Sequence, residues 1–410
     1  MSAFSHSLFS SAPPPRQWLV GPAAVLLCFT LSLPTALGSV ALGLFALAWL
    51  AAGGWACQWQ RWRASPTALW ALALLLMFVV GMSYSSASHA QLGNFMGKYA
   101  KLLALVAMLG ALTDARWQRR ALQSFMVGSV IASALSYARF LGVVPAHLGD
   151  SVVQGHIHFG TIEAFAAYLF ARQAFEPGPR RWLWGLLAAL LAFDVIYICI
   201  ARTGYVVLFA LIVLLAAQRL GRKGVLAGGI LALAFAAVSF TVFPTAKLRL
   251  EQGIQNLRQY EQVEATHRGN LDQNSWGLRL QFWRNTLRII ALHPLRGSGT
   301  GSMPVEYARI APQDLLTPNA HNEYLNTTEQ VGLIGLVLLL GLGVAAWRDG
   351  ARLMPVPRDA TRAVLVTIGV GSLFNSLLMD VNEGRFFVVM LGVLLAASIG
   401  TARHRVGASP

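Results

Sequence analysis

Uninterrupted apolar stretches of about twenty residues recur along this 410-residue chain, each long enough to cross a bilayer core of roughly 30 Å as a helix. Where backbone polar groups meet no water, only helices or closed barrels can satisfy them, and runs of this length select helices. About twelve spans can be marked, near 17–37, 39–57, 67–83, 98–113, 121–141, 157–173, 182–200, 203–218, 224–243, 330–347, 362–380 and 385–401. Pro34 and Gly38 divide the first two. Ala36-Leu37-Gly38 has the look of a signal cleavage site, but only Arg16 precedes it and the second span follows at once, so an uncleaved hairpin is expected. Charged residues are 12% of the chain, about half the share of a soluble domain. The expected fold class is an all-α polytopic membrane protein.

The net charge of +15 would suit a nucleic-acid ligand, but its distribution gives it another meaning. Alternate short connections hold Arg61/Arg63, Arg116/Arg119/Arg120, Arg172/Arg180/Arg181, Arg219/Arg222/Lys223 and Arg348/Arg352/Arg358/Arg362. Arg16 and Arg403/Arg405 fall on the same side, whereas the opposite short connections carry only Lys98, Lys101, Arg139, Arg202 and Arg385. This is the positive-inside asymmetry, and it puts both termini in the cytoplasm. No nucleic-acid partner is needed to explain the charge. The three cysteines, Cys28, Cys57 and Cys199, lie within spans and imply neither a disulfide framework nor a metal motif.

The same parity places residues 244–329 outside the cytoplasm, dividing the chain into 1–243, 244–329 and 330–410. Helical spacing of apolar residues runs over 246–265 (Leu248, Leu250, Ile254, Leu257, Tyr260, Val263). After a polar break at His267–Asn270, a second helix is expected from about Ser275 to Leu292, stopped by Pro294, Gly297 and Gly299. On a helical wheel Leu280, Trp283, Leu287 and Ile290 form its apolar face, with Arg288 opposite and Arg284 at the edge. Arg279 falls on the apolar face. Either it snorkels along the bilayer surface, or it points into the membrane domain to meet an anion.

Arg202-Thr203-Gly204 makes a tight outer turn between two spans; Lys98 and Lys101 share a face one turn apart, and Arg139 closes the fifth span. Cations on the outer side oppose the orientation rule, and an anionic ligand would compensate them. Arginine suits phosphate oxygens because its fork of donors is planar and stays charged in a low dielectric. Magnesium would need carboxylate ligands. Asp150, Asp314, Glu323, Asp380 and Glu383 contain no Asp-x-Asp pair, so a metal-independent site is expected. His156 and His158, ahead of the sixth span, would not share a helix face, and no third ligand is evident. They are expected as loop histidines near the site, able to contact a saccharide, rather than as metal ligands. Asp194 and Asn375 lie inside spans, where Asn375 fits a packing role between helices.

The long outer segment ends at His321-Asn322-Glu323-Tyr324-Leu325, followed by Glu329 and Gly332-Leu333-Ile334-Gly335. The imidazole, suited to proton transfer near neutral pH, thereby stands where a water-exposed loop enters the membrane. This element, the Arg202-Thr203-Gly204 step, and Arg279 with Trp283 ahead of the Pro294…Gly297-x-Gly299 turn together resemble the bacterial O-antigen ligases. Their superfamily also holds O-antigen polymerases and protein O-oligosaccharyltransferases. One departure is Ala201, where serine is common. The resemblance covers nearly the whole chain and implies a fold similar to GT-C membrane glycosyltransferases. It implies transfer of O-antigen polysaccharide from undecaprenyl diphosphate to lipid A–core, in the bacterial inner membrane and on its periplasmic face. His321 would be the general base, or a group that orients the acceptor. Arg279 and Arg202 would hold the diphosphate, with Lys98, Lys101 and Arg139 as further candidates and His156, His158 and Asn322 beside the substrate. Inversion at the anomeric carbon would follow, with no cofactor, ATP or metal.

Three rivals differ by observable features. A polymerase would use the same donor and a lipid-linked glycan acceptor, usually with a less clear His-Asn motif. A protein O-oligosaccharyltransferase usually extends further beyond its last span than the Arg403-His404-Arg405 tail here. A transporter of lipid-linked glycan would be expected to show internal repeats and mid-membrane polar breaks, whereas the polar residues here gather at one face.

Overall fold

The computed structural model describes residues 14–144, 155–199, 201–242 and 275–396, with a few positions between and beyond them. Among these every regular element is helical. In chain order the α-helices are α1 Gln17–Phe29, α2 Thr35–Ala52, α3 Trp55–Ala64, α4 Pro66–Met82, α5 His89–Tyr99, α6 Leu102–Ala111, α7 Ala115–Phe140 and α8 His156–Ala174. They continue with α9 Arg181–Phe193, α10 Arg202–Leu220, α11 Arg222–Val242, α12 Ser275–Leu292, α13 Met303–Ile310, α14 Glu323–Gly350, α15 Pro355–Gly371 and α16 Val381–Leu395. Local chemistry sets several starts. The Ser65 hydroxyl accepts from Ala68 N–H with Pro66 at the first helical position, Ser88 and Gln91 form a reciprocal capping box, and Asn322 caps α14 through Leu325 N–H.

Each expected span overlaps a helix, although the boundaries move. Gly53 and Gly54, both at positive φ, end α2 and set α3 apart. The span expected over 362–380 stops at Gly371 and gives way to a buried turn. Among the described residues seven helical segments are long and apolar enough to cross a membrane: Thr35–Ala52, His89–Ala111, Ala115–Phe140, Arg181–Ile198, Arg202–Leu220, Arg222–Ser239 and Glu323–Gly350. The number becomes eight if α3 and α4, bent by 93°, count as one span. The remaining expected spans lie on α1, α8, α15 and α16. Of the amphipathic helix expected over 246–265, positions 248, 251–256, 258–259 and 261 are described and are helical; its other positions, and Asp150, lie outside the described residues.

The main core joins α1, α4, α6, α7, α8, α10 and α14–α16 around Phe125, Phe165 and Phe386. Helix α8 is buried along most of its length. It crosses α10 where Gly204 meets the backbone of Gly160; an added Cβ at Gly204 would sit 3.0 Å from Gly160. A smaller core of Phe282, Ile289, Met303, Tyr307 and Ala320 packs α12 on α13 and the chain leading to α14.

The α12–α13 unit is fastened to the main helical core through a break in α14. Val331 and Gly332 (φ 68°) leave helical geometry two turns into the helix, freeing backbone groups that hydrocarbon would not solvate. The segment after α12 supplies every partner. Glu329 and Gln330 carbonyls accept from Ser298 and Gly299 N–H at 2.8 Å each, while Leu333 and Ile334 N–H donate to Pro294 and Leu295 carbonyls. Thr300 then bonds α4 twice, N–H to Gly81 and hydroxyl to Phe78. The approach leaves no room for a side chain at Gly332, where a Cβ would lie 2.0 Å from the Leu295 carbonyl oxygen. Gly332→Ala combines that overlap with a positive φ and should cost about 2–4 kcal/mol. The control is Gly343→Ala in the same helix, where a Cβ meets nothing within 4 Å. Thermal unfolding of the detergent-solubilised protein should show a clear loss for the first and none for the second; equal midpoints would contradict this account.

Candidate active site

His321 is the one non-glycine residue at positive φ (49°) among those described. Its backbone is held there by Asn319, whose side-chain oxygen accepts the His321 N–H at 2.8 Å and the Ser376 hydroxyl at 3.2 Å. The next residue, Asn322, starts α14, so the ring stands at the mouth of that helix. It stacks on Phe282 of α12 with centroids 5.6 Å apart and planes inclined by 21°. Arg279 lies one turn before Phe282 on α12 and so faces the same space.

Arg279 reaches from α12 to the turn that follows α15. Its Nη2 donates to the Asn375 side-chain oxygen at 3.3 Å, and Asn375 Nδ2 donates to the Thr203 hydroxyl at 2.9 Å. Thr203 adjoins Arg202, the first residue of α10, where the positive end of the helix dipole adds to the cationic field. Three elements far apart in sequence thus converge: α10 with Arg202, α12 with Arg279, and the entry to α14 with His321.

The electrostatics register this proximity. Burial, and next the Arg202 charge, hold the Arg279 guanidinium below its ordinary value. Burial, and next the Arg279 charge, push the His321 imidazole down to about 4. The ring is therefore neutral at physiological pH, the protonation state a base requires. Among the described residues no carboxylate pairs with Arg279.

The other residues expected at a site are distributed differently. Lys101, buried at the junction of α5 and α6, donates to the Met379 and Asp380 carbonyls. Lys98, half-buried, lies over the Phe95 ring at 5.4 Å. Asn322 spends both amide atoms on structure, accepting from Leu325 N–H and donating to the Leu373 carbonyl at 3.0 Å. Arg139 lies in the last turn of α7. His156 and His158 are in the first turn of α8 rather than a loop. His156 is exposed, whereas His158 is buried with Nδ1 3.6 Å from Glu383 Oε2. The wheel reading of the second loop helix also needs correction. The face of α12 packed against the protein holds Phe282, Asn285, Thr286 and Ile289, while Leu287, expected inside, is exposed. The Leu280/Trp283/Leu287/Ile290 stripe is apolar but is not the face that seats the helix. Asn375, Thr203, Phe282 and Asn319 had no distinguishing sequence signal as neighbours of these cations.

Because the His321 value lies below its unfolded one, protonation opposes the native site. Its contribution to stability is complete above about pH 6.5 and declines as pH falls toward about 4. Replacing Arg279 by Met removes the second cause of the depression and leaves burial, the first. Carbethoxylation of His321, followed by peptide mapping between pH 4 and 8, should therefore show a midpoint higher in Arg279→Met than in wild type. It should remain below 6.5. An unchanged midpoint would separate the two residues electrostatically.

A comparison with curated proteins gives no match for the chain. Residues 187–340, which carry Arg202, Arg279 and His321, match the family described as O-Antigen ligase; the match leaves the first eight helices outside it. Over these residues the chain is similar to the O-antigen ligase family, which supports a place in the O-antigen ligase/polymerase superfamily.

Proposed function

We propose that this protein is an O-antigen ligase, transferring O-antigen polysaccharide from undecaprenyl diphosphate to a sugar hydroxyl of lipid A–core. The observation that carries the reading is the meeting of a neutral imidazole with a guanidinium that lacks a described carboxylate partner, within a family-matched segment. The chain would cross the inner membrane about twelve times in a GT-C-like arrangement. Both termini would be cytoplasmic and the site periplasmic.

The chemistry follows from charge. Arg279 and Arg202 bind the diphosphate of the donor, each guanidinium fork taking phosphate oxygens. His321 accepts the proton of the acceptor hydroxyl, whose oxygen forms a bond to the anomeric carbon. The bond from that carbon to the phosphate oxygen breaks with its electron pair, and the arginines stabilise the charge that collects on the leaving diphosphate. The proton then leaves His321 for solvent or for the diphosphate. One displacement inverts the anomeric configuration. The arginines take the part a metal plays elsewhere, so the reaction is metal-independent in this reading. A bound diphosphate would also offset the cationic field on His321 and make the ring a better base than in the empty site.

His321→Ala should abolish transfer with membrane insertion intact. Arg279→Lys should fail as well, since lysine keeps the charge but loses the fork. The test is complementation of a ligase-deficient strain, reading the lipopolysaccharide ladder at matched expression. A ladder from wild type and none from His321→Ala supports the assignment. A ladder from the variant equal to wild type removes His321 from the chemistry. Wild type that restores chain length only in a polymerase-deficient strain would make the acceptor a lipid-linked glycan and the protein a polymerase.

A further inference from the structure

The turn between α15 and α16, residues 372–380, is buried over Asn375–Met379 although it is neither helix nor strand. A buried irregular segment must find a partner for each backbone polar group. Here two side chains from other elements supply them. Glu323, the first residue of α14, accepts with one carboxylate oxygen from the N–H groups of both Leu378 (2.9 Å) and Met379 (3.1 Å), and with the other from the Thr327 hydroxyl at 3.1 Å. Lys101 holds the opposite edge through the Met379 and Asp380 carbonyls. The turn is thus clamped between a carboxyl group on its N–H side and an amine on its carbonyl side.

That turn carries the contacts that place the candidate catalytic groups. Asn375 bonds Arg279 and Thr203, and Ser376 bonds Asn319, which in turn fixes the backbone of His321. We infer that Glu323 is a positioning residue: by gripping Leu378 and Met379 it holds the 375–380 turn so that Arg279 and His321 keep their mutual geometry. The inference rests on the function proposed above for its activity readout, but the geometric claim stands independently. What the site needs from Glu323 is an acceptor oxygen at the right reach, not its charge.

Two conservative variants separate those properties. Glu323→Gln keeps the length and one acceptor oxygen while losing the charge. Glu323→Asp keeps the charge but withdraws the carboxylate by one methylene. Positioning requires that Gln retain kcat within about two-fold and that Asp lose it by about 100-fold, with donor KM little changed; misplacement of about 1 Å has an effect of that order. A second readout needs no glycan transfer. The charge facing His321 is that of Arg279 on α12, itself facing Arg202 on α10, with apolar Phe282 on the ring's flat side. If the turn shifts, Arg279 shifts with it, so the pH midpoint for carbethoxylation of His321 should rise in Glu323→Asp and stay at the wild-type value in Glu323→Gln.

The reverse order, Asp active and Gln inactive, would overturn the inference by making the negative charge the requirement. Wild-type kcat and an unmoved midpoint in both variants would overturn it too. If wild type transfers no glycan in the first assay, the proposed function fails. The carbethoxylation order of the three folded proteins still decides the positioning role.

Discussion

The arrangement of the candidate site depends on one structural constraint: a helix broken part-way along its length must be completed by another segment. At Val331–Gly332 α14 loses its own hydrogen-bond ladder, and Pro294–Gly299 restores it from outside the helix. The segment that repairs the break is the one that follows α12. Satisfying the α14 backbone therefore fixes where α12 ends, and with it the helix that carries Arg279 and Phe282. Ser302, bonded to the Glu329 carboxylate at 2.8 Å, and Gly301, bonded to the Gln330 side chain at 3.0 Å, continue the seam. A loop merely lying on the membrane surface could not hold a guanidinium to within a hydrogen bond of Asn375; one sewn into a helix can.

Local necessity accounts for the glycines of this seam. Gly297 and Gly332 both have positive φ, and a Cβ on either would overlap the other segment's backbone. The sequence shows these glycines plainly as a Pro294…Gly297-x-Gly299 stop and a Gly332-Leu333-Ile334-Gly335 step. It does not show that the two sets face each other. A helix terminator and a mid-helix glycine each have an ordinary local explanation, and their joint meaning appears only when the backbones are side by side.

Legibility followed the same division elsewhere. Apolar runs identify helices because burial in hydrocarbon demands them, and the expected helices are present. A cation that opposes the orientation rule identifies Arg202 and a charge on an apolar helix face identifies Arg279; in the structure Arg279 lies close enough to both Arg202 and His321 for their charges to interact. The sequence misplaces residues whose partners are backbone groups of an unforeseen turn. Ser372-Leu373-Phe374-Asn375-Ser376-Leu377-Leu378-Met379 reads as the end of a span, having no proline or glycine to break it. With the turn hidden, Lys101 and Asn322 look like donors awaiting a substrate. In the structure their hydrogens go to the Met379, Asp380 and Leu373 carbonyls. The face of α12 was misjudged for a related reason. Hydropathy finds the apolar stripe but cannot tell lipid or solvent from protein, and the protein-facing side includes Asn285, bonded to Tyr307 and Asp314.

The site also carries an electrostatic cost. Arg279 and Arg202 oppose each other's charge, and together with burial they leave His321 a weak base. A diphosphate entering between them would be attracted by both cations, would relieve their repulsion, and would raise the basicity of the ring when an acceptor hydroxyl needs it. In the proposed function the charges that hold His321 neutral are those that would bind the donor, which would order the events as donor first, then a competent base. Neither arginine needs to move for this to occur, provided the turn that holds Asn375 stays in place.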